Sequence, residues 1–213
     1  MKESSVKVRP MNFLAHLYLA GDDEGLRLGA MLGDFIRGGL ENSNLPVPAL
    51  QGIKLHRHID QFIDALPEVA ELRTLFEQPF RRYSGIIIDL AMDHELARRW
   101  DEYSSVPLEQ FDRRVRDMLA RHQSIVPEDL VRFMNYADRR GLFASYRNKE
   151  EILLSLKGVG QRLSRSNPLH RVDEIWEAVE PSMGQAFEQV FPKVQGSVAD
   201  WLRSPENGNF TAA

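Results

Sequence analysis

Three observations make this an all-α protein, a compact single-domain multi-helix fold. Apolar residues recur at three- and four-residue spacing through almost the whole chain, as amphipathic helices require. The alternation of β-branched and polar residues that marks half-buried strands is scarce. Finally, 213 residues with 43% hydrophobic and 27% charged content suffice for one core, and no stretch reads as an interdomain linker.

The first ten residues, "MKESSVKVRP", form an extension outside the fold, since the apolar periodicity starts with "NFLAHLYLA" after Met11. Helices are expected near 12–20, 24–37, 48–66, 68–77, 79–102, 107–122, 127–139, 148–164 and 172–203. The second carries Gly25, Gly29 and Gly33 every four residues, a ridge of small residues that lets another helix approach closely. Polar, proline-punctuated loops, "ENSNLPVPAL" and "SRSNPLHRVDE", precede the third and last helices. The last helix should break at Pro181 and Pro192, because proline lacks a helical donor and clashes with the preceding turn. The helical domain is thus placed at 11–204, with 205–213 as a frayed tail.

No cysteine is present, so any metal must be held by His, Asp, Glu, backbone or water. No apolar run reaches membrane-spanning length and the N-terminus lacks a signal-peptide core, so a cytoplasmic location is expected, with no membrane association. A formal net charge of -4 offers no general attraction for nucleic acid.

The chemistry lies in the polar residues embedded in apolar helical segments of the first hundred positions. In "GIKLHRHIDQFID", a projection at about 100° per residue places His56 and Asp60 on one flank of the apolar stripe. His58 falls on the opposite flank. The His56/Asp60 pair alone is also what an ordinary helix surface could present. In "SGIIIDLAMDHELARRW", Asp89 and Asp93 share an arc with Ile86, Leu90, Leu96, Ala97 and Trp100, while Glu95, Arg98 and Arg99 take the far side and His94 the edge. Buried carboxylates must be protonated, paired with cations or bound to metal. Adding His16 in "NFLAH" and Asp34 after the glycine ridge gives a thiol-free His/carboxylate set suited to Mn²⁺, Fe²⁺, Mg²⁺ or Zn²⁺ between helices. His122 and His170 receive no role. Neither a nucleophile elbow nor a Walker or dinucleotide fingerprint occurs.

"MNFLAHLYLA", "GDFIRG", "GIKLHRHID" and "DLAMDHELARRW", in this order and at these separations, resemble the acyl-carrier-protein phosphodiesterase (hydrolase) family. The resemblance covers most of the chain from Met11. It implies an HD-domain-like helical fold and hydrolysis of the phosphodiester joining 4'-phosphopantetheine to a serine of holo-acyl carrier protein, with a divalent cation such as Mn²⁺. Carried over by motif, His16, Asp34, His56, Asp60, Asp93 and His94 are the metal or catalytic candidates. Asp93-His94 stands in the reverse order to the pair that names HD enzymes. Asp89 joins the metal candidates from its place on the apolar arc; Asp34, Asp60 and His94 are the candidates for proton transfer. Arg37 and Arg57, with Lys54, could contact phosphate. The pairs Arg81/Arg82, Arg98/Arg99 and Arg113/Arg114 could steer an acidic carrier protein. The competing expectation is an HD-like phosphohydrolase acting on a nucleotide or other small phosphate ester.

Overall fold

The computed structural model describes residues 13–36, 38–40, 43–137, 141, 143–205 and 207. The extension at 1–10, Arg37 and the end of the tail lie outside them. Every regular element among the described residues is helical: α1 (Phe13–Leu19), α2 (Glu24–Leu32), α3 (Val47–Ala65), α4 (Pro67–Thr74), α5 (Ser84–Arg98), α6 (Trp100–Tyr103), α7 (Leu108–Arg121), α8 (Glu128–Ala137), α9 (Lys149–Arg162) and α10 (Asp173–Arg203), with 3₁₀ turns at Phe80–Tyr83, Ala144–Arg147 and Leu169–Arg171.

α5 runs through the middle, against α1, α4, α9, α10 and the Ala144–Arg147 turn. It is buried nearly all round, from Ile87 and Ile88 through Leu90–Ala97. That corrects the expected exposed position of Glu95, which is buried beneath Arg98 and Arg99 and faces α10 at Gly184. A two-sided helical projection fails on a helix that is covered on every side.

The glycine ridge performs the task read from it. A Cβ on Gly29 would lie 2.0 Å from the Ala49 carbonyl oxygen and 2.6 Å from Gly52 Cα. On Gly52 it would meet the Leu26 carbonyl oxygen at 2.2 Å. Backbone therefore packs on backbone where α2 crosses α3, and any side chain at either glycine would pry the helices apart. α2 begins with Asp23, whose Oδ1 accepts the Leu26 N–H at 2.8 Å, a cap contributing about 1 kcal/mol. It ends at Leu32, earlier than expected, which frees Gly33 and Asp34 to turn toward α3.

The expected 79–102 helix resolves into a 3₁₀ turn, α5 and α6. The last helix is not broken: Pro181 and Pro192 both lie inside α10. They are exposed and eleven residues apart, hence on one face, where water can satisfy the carbonyls left without donors. The opposite stripe of Trp176, Val179, Met183, Phe187, Val190, Val194 and Val198 stays buried and holds the helix together.

Candidate metal centre

The site forms where α1, the end of α2 and the middle of α3 meet. His16 enters from α1 with a side chain that is 0% exposed, and His56 from α3 at 1%. Their rings stack with centroids 4.0 Å apart. Asp60, one turn beyond His56, places Oδ1 3.2 Å from His16 Nε2 and Oδ2 3.4 Å from His56 Nε2. Asp34, in the turn after α2, brings Oδ1 to 3.6 Å from the same Nε2. One ligand atom from each of His16, His56 and Asp60 lies within 4.8 Å of the other two.

These groups are close without being satisfied. Both nitrogens of His16, Nε2 of His56 and Oδ2 of Asp34 are buried and have no hydrogen-bond partner. Unpartnered buried polar atoms are rare in native proteins, since each costs about 1–3 kcal/mol. Four at one point mark a place built around something else. Nitrogen–oxygen separations of 3.2–3.6 Å resemble the spacing between neighbouring ligands around an ion with bonds of about 2.1 Å. Two imidazoles and two carboxylates without a thiol fit a borderline divalent cation.

Two devices hold His56 in place. Its Nδ1 lies 2.9 Å from the Ala30 carbonyl oxygen, an acceptor of the last turn of α2 where helix ends leave carbonyls free. With Nδ1–H donating there, Nε2 faces the cluster, the arrangement metal-ligating histidines commonly use. Gly33 supplies the space: a Cβ there would sit 2.3 Å from His56 Cγ and 2.5 Å from Cδ2. The glycine ridge was legible in the sequence, but its contact with this imidazole was not.

Electrostatics agree with the geometry. Burial lowers the pKa of His56, yet the Asp34 and Asp60 carboxylates facing it outweigh that and raise it to about 9. Burial opposes ionisation of Asp60, and His16 and His56 overcome it, holding the carboxyl well below its usual range. His16 is lowered by burial and by the neighbouring His56. Asp89, on α5, is raised well above its ordinary value by burial and by repulsion from Asp60, Asp64, Asp34 and Asp93. Cation charge is what this ring of carboxylates needs.

Asp93 and His94 have other partners. Asp93 Oδ2 accepts the Leu14 N–H at 3.0 Å and Oδ1 the Ala15 N–H at 2.9 Å. These are unpaired donors in the first turn of α1, so a carboxylate on α5 caps α1 from 78 residues away. Burial pushes Asp93 up to about 7, with the two N–H groups pulling the other way. His94 places Nδ1 2.6 Å from the Tyr146 carbonyl oxygen and Nε2 3.7 Å from Glu180. Asp93 and His94 were expected at the metal; both are buried, and their polar atoms meet α1, the Ala144–Arg147 turn and α10. His58 was rightly set apart, since its Nε2 lies 2.8 Å from Ser197 Oγ on α10. Arg57 donates from Nη2 to the Ile36 carbonyl oxygen at 3.0 Å, which ties the turn carrying Asp34 to α3. Sequence reasoning missed Glu180 and Tyr146, which carry no local signal for their contacts.

The family model described as acyl carrier protein phosphodiesterase matches residues 11–194. This chain belongs to that family. It is 34% identical over 193 residues to the acyl carrier protein phosphodiesterase of Shigella boydii serotype 4 (strain Sb227), covering 89% of this chain and 98% of that protein. The protein of the same name from Escherichia coli O45:K1 (strain S88 / ExPEC) is 35% identical over 192 residues, with 86% and 95% covered. No solved structure gives a significant match. Among the described residues, no helix is long and apolar enough to cross a membrane.

Proposed function

We propose that this chain hydrolyses the phosphodiester between 4'-phosphopantetheine and the carrier serine of holo-acyl carrier protein, releasing the apo protein and free 4'-phosphopantetheine. Family membership supports the reaction, and the single structural observation that carries the site is the convergence of four buried, unpartnered polar atoms from His16, His56 and Asp34 beside Asp60. His16, His56 and Asp60, with Asp34, would hold a divalent cation, Mn²⁺ in this reading, and Asp89 would add negative charge next to it. When bound, the ion supplies Lewis acidity toward a phosphoryl oxygen and makes water more acidic.

The remaining chemistry falls to the chain. Asp60 is ionised and 29% exposed, so it can face substrate and orient the attacking water as a hydrogen-bond acceptor. Stacked and buried, His16 and His56 keep fixed orientations, which limits reorganisation during reaction. Arg57 and Arg37 are assigned to the phosphate's remaining charge. Exposed Arg81/Arg82 and Arg113/Arg114 are the cations suited to steering an acidic carrier. Arg98 and Arg99 are less suited, being paired with Glu95 and, for Arg99, Glu188. We further read 11–204 as the hydrolytic unit, HD-like in character, working in the cytoplasm. An all-helical frame with His and Asp ligands drawn from separate helices supports the HD-like part.

The test is incubation with holo-acyl carrier protein and Mn²⁺, read by intact mass. Loss of the phosphopantetheine arm is expected. Turnover of small phosphate esters with an unaltered carrier would contradict the substrate assignment.

A further inference from the structure

A second concavity lies on a different side of α1 from the histidines. It is an open cleft of about 450 Å³ between the end of α1, the start of α2, the segment joining α6 to α7, and the C-terminal part of α10. That volume falls in the range of sites for small organic ligands. One wall is aromatic: Tyr18 and Trp100 pack with centroids 5.7 Å apart, and Trp100 and Phe111 at 4.9 Å. The mouth carries two guanidiniums, Arg27 and Arg114.

Neither guanidinium has a full set of partners. Arg27 Nη2 donates to Asp22 Oδ1 at 2.8 Å, and its Cζ sits 5.1 Å above the Phe111 ring, but its Nε is buried without a partner. Burial lowers the pKa of Arg27 against the pull of Asp22, and the exposed Arg114 adds a smaller like-charge push in the same direction. Two like charges thus line one cleft with a single carboxylate, Asp22, which is paired with Arg27 and 94% exposed. Such a pair is relieved by an anion between them, while the half-buried rings of Tyr18 and Tyr103, backed by buried Trp100 and Phe111, offer an apolar bed.

We propose that this cleft is a binding site for a small organic anion, a carboxylate, sulfonate or phosphate head on Arg27 and Arg114 with a ring-sized apolar body against Tyr18 and Tyr103. It is separate from the metal centre and does not depend on the hydrolase reading.

The probe is 8-anilinonaphthalene-1-sulfonate, titrated by fluorescence into the folded full chain, with uncharged N-phenyl-1-naphthylamine as its neutral counterpart. Wild type should saturate with one equivalent of the sulfonate and hold the neutral analogue at least about tenfold more weakly. Arg114→Gln should weaken sulfonate binding about five- to tenfold, and Asp22→Asn should tighten it about two- to fivefold. Ala199→Trp, which fills the cleft from its exposed lip, should abolish binding at an unchanged Tm. Asp22→Asn and Arg114→Gln both alter exposed side chains and leave the fold intact, so they decide the matter if the tryptophan variant unfolds. Affinities that ignore both charge changes, equal binding of the neutral analogue, or no saturable binding would overturn the proposal.

Discussion

Two sets of buried ionisable groups both meet α1 and differ in one respect. At the junction of α1, α2 and α3, His16, His56 and Asp34 leave four polar atoms without a hydrogen-bond partner, two of them only facing carboxylates at 3.2–3.6 Å. On α5, Asp93 has both oxygens on backbone N–H groups and His94 Nδ1 lies 2.6 Å from the Tyr146 carbonyl oxygen. Burial is common to both, so burial does not separate a ligand site from a structural one. Satisfaction does: a closed polar network stabilises a fold, whereas an open one is kept for a ligand.

The comparison is broken most sharply by removing one group from each set. Asp60→Asn should reduce kcat/KM by about a thousandfold or more, as loss of a ligand or water-orienting acceptor does, and abolish the rise in Tm on adding Mn²⁺. Its metal-free stability should fall only modestly, because Asp34 remains beside the His56 charge. Asp93→Ala should do the reverse. It leaves two buried N–H groups of α1 unpaired at about 1–3 kcal/mol each, so urea denaturation should show a loss of several kcal/mol while activity per folded molecule falls far less. Equal effects of the two substitutions on stability would erase the distinction.

A smaller effect sharpens the geometry. Gly33→Ala drives a methyl into the His56 ring, costing about 1–3 kcal/mol as overpacking does and lowering activity about 10–100-fold through displacement of a ligand. Gly85→Ala on α5, where a Cβ would meet nothing within 4 Å, should leave both unchanged.

The mildest test is pH. Folded-state His56 titrates at about 9, above its ordinary value. Its contribution to metal-free stability is therefore complete below about pH 6.5 and is lost as pH rises through about 9. Metal binding runs opposite, because the ion must displace that proton. Mn²⁺ affinity should rise about tenfold per pH unit between pH 7 and 9 and flatten above. A pH-independent affinity would show that His56 is no ligand.

Much of this was legible in the sequence. Helical periodicity gave the fold class, the four-residue glycine spacing gave the close α2–α3 crossing, and the i, i+4 projection kept His56 with Asp60 and rejected His58. What was hidden is non-local. Periodicity reports which face is covered but not by what, so it marked Asp93 as buried without showing that α1's unpaired N–H groups were waiting for it. The same blindness put Glu95 in solvent, although α10 covers it. Proline rules broke α10 because they weigh one lost donor and not the long apolar stripe that keeps the helix docked.

The central claim, that the unsatisfied cluster and not the satisfied one takes the ion, meets its most direct test in crystals soaked with Mn²⁺ and measured at a wavelength where manganese scatters anomalously. The account predicts a peak within coordinating distance of His16, His56 and Asp60, with Asp34 adjoining. A peak at His94 and Glu180 instead, or none at the α1–α3 junction, would contradict it.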